Sequence, residues 1–234
     1  PAMKWSYEDI KEWAGREAPL TVAAGNIREI RDQFPLSKEQ DLSGTDYAIS
    51  MVFPIPIHSL DGIVNAPTLL YKHAYGQVNY LMDRVALGVA LRLQESGHKA
   101  IPIPASQIID WEVWKGHASH RQIAVHLGQG WHGRNNLLVT PERGSQVRLV
   151  SVLTDMEVED PGPWGHRTGE CGCGKCRKCI AACPAGAIKE RPLDYDLTPC
   201  AERIRQFEKI RGIGQRICGI CVRVCNGPAG IRDE

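Results

Sequence analysis

The sequence predicts a mixed α/β domain followed by a smaller cysteine-rich domain. Three observations predict it. The 43% hydrophobic and 24% charged fractions suit a globular chain with a core of its own. The apolar pattern alternates between helical and strand periods over the first 160 residues. All nine cysteines lie between Cys171 and Cys225.

Taken in order, Ser6 caps a first helix reaching Arg16, which breaks at Ala18-Pro19. Asp46 to Phe53 is an apolar strand stopped by Pro54 and Pro56. From Leu69 to Gln94, Leu81, Val85, Val89 and Leu93 recur every fourth position, one greasy face of a long helix that Ser96-Gly97 ends. Lys99 to Ile103 is a short strand, and Ser119 to Leu127 a helix carrying Ile123 and Leu127. Asn136 to Thr140 and Gln146 to Leu153 are two strands around the turn Pro141-Glu142-Arg143-Gly144. Glu159 to Gly165, rich in turn formers, marks the boundary, with the α/β domain at 1–160 and the cysteine domain at 161–234.

Charge and hydropathy exclude several classes. With 28 Lys and Arg against 27 Asp and Glu, the net charge of +1 gives no overall basic footprint for nucleic acid. The longest apolar run, Ala48 to Ile57, is interrupted by Ser50 and two prolines and falls short of the ~20 residues that span a bilayer. The N-terminus shows neither a charged segment before an apolar run nor a twin-arginine signal, so the expected address is cytoplasmic, with no membrane partner. An odd cysteine count without a secretory signal predicts metal ligation rather than disulfides.

The strongest chemistry lies in Cys173-x-x-Cys176-x-x-Cys179-x-x-x-Cys183-Pro184. Three thiolates from one tight turn reach one cubane while the fourth projects to a second cluster, the bacterial two-cluster ferredoxin pattern. Cys218-x-x-Cys221-x-x-x-Cys225 and Cys200 complete the set. By the crossing rule of that pattern, Cys173, Cys176, Cys179 and Cys225 hold one [4Fe-4S] cluster, and Cys183, Cys200, Cys218 and Cys221 the other. Cys171 is unmatched. The alternative, a pair of all-cysteine zinc sites, usually takes two separated C-x-x-C knuckles.

Gly128-x-Gly130-x-x-Gly133 spells a dinucleotide fingerprint in the wrong context, because a helix precedes it and a strand follows. Its glycines let a backbone turn tightly around Trp131, either to approach a flat ligand or cluster or as a packed connector. His117, His120, His126 and His132 crowd one stretch without a known zinc spacing, leaving ligation, proton transfer or ordinary hydrogen bonding open. Tyr71, Lys72, His73 and Tyr75 open the long helix, where a proton donor or a solvated helix start fits equally. Trp111 and Trp114 beside Asp110 and Glu112 either lid a pocket or pack on the core.

Gly116-His117-Ala118-Ser119-His120, Gly128 to Asn135, Leu138 to Glu142 and Leu153-Thr154-Asp155, followed by the double cysteine set, resemble the epoxyqueuosine reductase and reductive dehalogenase superfamily from about Asp46 to Pro228. The resemblance implies a nitroreductase-like α/β domain that holds base-off cobalamin beside a two-cluster ferredoxin-like domain. It places Ser106, Ser119, Gly128, Gly130, Trp131, Gly133, Arg134 and Asn135 as cofactor-binding candidates. Asn226 stands where the family usually has proline after the last cysteine. Where epoxyqueuosine reductases carry a Val-Asp-Thr stretch with the proposed acid, this chain reads Ile103-Pro104-Ala105-Ser106. Epoxyqueuosine reductases continue after the cysteine set into a helical-repeat region that grips tRNA, and the expectation for this chain is that it does without one.

The resulting expectation is an iron-sulfur oxidoreductase passing electrons through two clusters to cobalamin for reduction of a small substrate, with Tyr71, Tyr75, Asp110 and His120 as candidate proton donors. A plain electron-transfer protein is the alternative, and tRNA modification the second. Expected partners are an electron donor such as ferredoxin or flavodoxin, a small-molecule substrate and a second copy in a homodimer, with tRNA not among them.

Overall fold

The computed structural model describes residues 4–165 and 172–228, and within them the chain forms two compact units. Of the described residues, one comprises 4–53, 79–129 and 148–165, and the other 54–78, 130–147 and 172–228. Mixed α/β architecture is as expected, but space does not part the chain at 160/161. The unit that holds the cysteines includes two stretches of the preceding chain, and one of them supplies Ile55, Leu60, Ile63 and Tyr71 to its core.

In the first unit, helix α1 (Tyr7–Glu17) starts at a reciprocal capping box, the Ser6 hydroxyl accepting from the Asp9 amide while the Asp9 carboxylate accepts from the Ser6 amide. A four-stranded sheet follows the order β1 (Thr21–Asn26), β2 (Tyr47–Pro54), β6 (Val147–Thr154), β3 (Ala100–Ile103). β1 runs antiparallel to β2 with Thr21 opposite Val52, and β3 antiparallel to β6 with Ala100 opposite Thr154. β1 carries no sequence signal: Thr-Val-Ala-Ala-Gly-Asn lacks alternation, and its pairing is decided by β2. The inner strand β2 is buried along Ala48 to Phe53, which is why it reads as an unbroken apolar run.

After the single turn α2 (Arg28–Arg31) comes the long helix α3 (Leu69–Glu95). Its buried stripe is Met82, Val85, Ala86, Val89, Ala90 and Leu93, while Leu81 is only half-buried, one position off the expected face. α1 docks where α3 has no side chain: a Cβ at Gly88 would overlap the Trp13 ring, on which Arg92 stacks at 3.7 Å. α4 (His120–His126) places Ile123, with Leu127 just beyond it, in a core with Ile27, Phe34, Ile103 and Leu153.

The stretch expected to be a linker is tied down in this unit. Asp160 exchanges backbone hydrogen bonds with Ala24 at 2.9 Å, and its carboxylate accepts from Tyr7 Oη and Lys11 Nζ. The Gly162 amide donates to the Leu127 carbonyl at 2.7 Å and the Trp164 amide to that of Gly128 at 2.8 Å.

The second unit has its own core. Ile55, Leu60, Ile63 and Tyr71 from the 54–78 stretch pack with Phe207, Ile213, Ile217, Ile220 and Val222. A two-stranded piece, β4 (Trp131–His132) with β5 (Leu138–Val139), flanks the cysteines. α5 (Lys178–Ala182) packs on α7 (Ile220–Arg223), and α6 (Leu197–Glu208) starts at Asp196, whose carboxylate accepts from the Thr198 amide. Among the described residues no helix is long and apolar enough to cross a membrane.

Candidate metal centres

Eight cysteines of the second unit fall around two cavities. Cys173, Cys176, Cys179 and Cys225 line one of about 110 Å³, together with Trp131, Arg134 and Asn135. Cys183, Cys200, Cys218 and Cys221 line another of about 220 Å³, with Tyr71, Tyr75 and Tyr195. These are the two sets of four that spacing groups together, and Asn135 borders both cavities. Cys171 lies outside the described residues.

Local backbone explains the first set. The Cys176 amide donates to the Cys173 carbonyl at 3.0 Å, closing a tight turn, and α5 then carries Cys179 into a buried position. Arg134 staples that turn from β4's loop, its guanidinium donating to the carbonyls of Gly174, Cys176 and Glu190 at 2.9, 3.0 and 2.7 Å. Gly172 is needed because a Cβ there would stand 2.7 Å from the Trp131 indole. Trp131, 1% exposed, donates Nε1–H to Cys173 Sγ at 3.3 Å. On the far side Ser145 holds Cys225: its amide donates to the Cys225 carbonyl at 3.2 Å. Gln146 Nε2 donates to the Arg223 carbonyl and to Asn226 Oδ1.

The electrostatics suit a cationic occupant. Burial first, then the neighbouring thiols, pushes Cys221 well above the ordinary thiol value and Cys179 and Cys218 up to about 11. Burial likewise raises Cys200 and Cys225, opposed by hydrogen bonds from Tyr195 and Ser145 respectively. Four thiolates around one small cavity need positive charge at its centre. Among the described residues no three His, Cys, Asp or Glu side chains gather as ligands of a single ion would, whereas the thiols ring a volume. The donor set and the space fit cubane clusters.

The nominated cofactor-binding residues are engaged elsewhere. A Cβ at Gly128 would meet the Gly165 carbonyl 2.7 Å away, and Gly130 and Gly133 approach Val139 of β5. Their close approach is to the chain's own backbone and side chains. Ser119 caps α4 by accepting from the Gln122 amide at 3.3 Å, and Ser106 is an exposed residue of the loop after β3. The candidate proton donors divide between the units. Tyr71 and Tyr75 meet edge-to-face at 6.0 Å on the second cavity. Asp110 is exposed and caps its own turn, accepting from the Glu112 and Val113 amides. His120 hydrogen-bonds Ser151 Oγ and the Pro104 carbonyl, both at 3.0 Å, and burial pushes it down to about 4, so it sits neutral between β6 and the loop after β3. Ser145, Gln146 and Tyr195 carry no sequence motif, and only folding brings them to the cysteines.

Known proteins similar to this chain fall into two groups. An epoxyqueuosine reductase of Bacillus anthracis is 35% identical over 118 residues, covering 47% of this chain and 30% of that protein. A tetrachloroethene reductive dehalogenase of Desulfitobacterium hafniense is 31% identical over 184 residues, covering 71% of this chain and 30% of that one. Among solved structures, the catabolic reductive dehalogenase NpRdhA superposes with a TM-score of 0.65 at 17% identity, over 89% of this chain and 30% of that one. The epoxyqueuosine reductase from Streptococcus thermophilus gives 0.58 at 19% identity, over 96% and 66%. No family model matches. The chain is similar in sequence to epoxyqueuosine reductases and reductive dehalogenases and shares their fold. It spans about a third or less of the length of the curated relatives it matches.

Proposed function

We propose that the chain is an iron-sulfur oxidoreductase whose second unit holds two [4Fe-4S] clusters and delivers electrons for reduction of a small substrate. The observation that carries this is the division of eight thiols into two sets of four around two cavities. Cys173, Cys176, Cys179 and Cys225 would hold one cluster and Cys183, Cys200, Cys218 and Cys221 the other. The clusters supply one-electron storage. Arg134 keeps the first cysteine turn in shape, Trp131 and Ser145 place donors on its sulfurs, and the buried Tyr71 with the partly buried Tyr75 shields the second cavity from water.

A corrinoid as electron acceptor is a second reading, favoured because a solved relative is described by B12-dependent dehalogenation. Gly128, Gly130 and Gly133 lie close against the chain's own residues. Anaerobically reconstituted protein should contain about eight iron and eight sulfide per chain with a broad visible absorbance, and Cys171→Ser should keep them all. Stoichiometric zinc in a colourless protein would refute the reading. Cobalt retained after incubation with cobalamin and gel filtration decides for the corrinoid, and its loss decides against.

A further inference from the structure

The net charge of +1 conceals a division. The described residues of the cysteine unit hold 14 Lys and Arg against 7 Asp and Glu, a net charge of +7, while those of the other unit hold 12 against 17, a net charge of −5. The sequence expectation of no basic footprint, drawn from the sum, therefore does not describe this unit.

Part of the excess surrounds the place where the first cavity meets solvent. Cys176 is exposed, within an exposed run that includes Lys175, Arg177 and Lys178. Beside it Lys178, Ala181, Ala182, Arg223, Val224 and Asn226 form a shallow open basin, and Lys178, Val224 and Asn226 also belong to the wall of the first cavity. Arg177 is neutralised by Glu190 at 2.7 Å. Among the described residues, no ion pair to an acid occupies Lys175, Lys178 or Arg223. Small apolar side chains interspersed with the cations Lys178 and Arg223 make a surface suited to brief, charge-steered docking of a protein.

We propose that this basin, with the exposed edge at Cys176, is the docking face for an acidic electron-carrying protein. The inference rests on the two-cluster reading above. The carrier loses one electron and the cluster held by Cys173, Cys176, Cys179 and Cys225 gains it, with no bond made or broken. A nucleic acid fits the positive charge, but it has no electron to give and no need of a ligand thiol at the centre of its track.

The test uses the reconstituted full chain, mixed anaerobically with reduced flavodoxin, and separately with the small cationic reductant methyl viologen radical. Cluster bleaching by flavodoxin should slow about tenfold as salt rises from about 50 to about 300 mM. The double variant Lys175→Glu/Arg223→Glu should slow it by a further factor of about ten at low salt, with iron content unchanged and the rate with the cationic viologen not lowered. A flavodoxin rate indifferent to both salt and charge reversal would overturn the docking face. So would loss of labelled tRNA stem-loop binding in the variant while its flavodoxin rate is kept, which would make this an RNA surface. Failure of the cluster reading shows separately, as missing iron before mixing, and removes this proposal with it.

Discussion

Replacing Trp131 by Phe separates the hydrogen bond on Cys173 from the packing around it. Trp131 is 1% exposed, so truncation to Ala would leave a large void and cost about 3–5 kcal/mol. Phe keeps a flat ring over Gly172 but removes the Nε1–H that points at Cys173 Sγ from 3.3 Å. A hydrogen bond to a charged acceptor is worth about 1.5–3 kcal/mol, and it strengthens when an added electron raises the negative charge on the sulfur. If about 1 kcal/mol of it distinguishes the reduced from the oxidised cluster, the potential should fall by about 40 mV, since 59 mV per tenfold applies to one electron. Only the cluster of Cys173, Cys176, Cys179 and Cys225 should respond, because Trp131 lines that cavity alone of the two. Potentiometric titration followed by electron paramagnetic resonance resolves the two. Equal shifts of both, or none above ~10 mV with iron intact, would refute the reasoning.

Other perturbations test the scaffold. Arg134→Lys keeps the charge but loses the fork that bonds three carbonyls, so the holoprotein should lose about 2–3 kcal/mol in denaturant unfolding and shed iron from the first site before the second. Gly144 sits at φ 56 with no room for a Cβ against the Cys225 carbonyl. Gly144→Ala should therefore destabilise by about 2–4 kcal/mol and cost iron, whereas Gly15→Ala, in open space on α1, should stabilise by about 0.5–1. Burial holds His120 at about 4, below its unfolded value. The native state thus loses stability as pH falls from about 6.5 towards about 4, by at most about 3 kcal/mol and less because the ring is only partly covered. His120→Gln should flatten that part of the stability profile measured by chemical denaturation, and an unchanged slope would contradict the assignment.

Local chemistry made much of this protein legible in its sequence. Ser6 and Asp9 satisfy each other's amides whatever lies nearby, and the apolar run from Ala48 to Phe53 has to be buried, so α1 and β2 are readable without a fold. The cysteine spacing groups the thiols because a tight turn brings positions three apart together regardless of the rest of the chain. What depended on distant partners was not readable. β1 is a strand only because β2 offers it hydrogen bonds, and the supposed linker is a packed segment only because Asp160 pairs with Ala24. The glycines at 128–133 look the same in sequence whether a ligand or the chain's own Gly165 and Val139 approach them. Net charge is a sum, blind to place, so the separation of +7 from −5 had to wait for the tertiary division that assigns each residue to its unit. Interactions within a turn or two are written in neighbouring residues, and those across a hundred residues exist only once folding has made them neighbours.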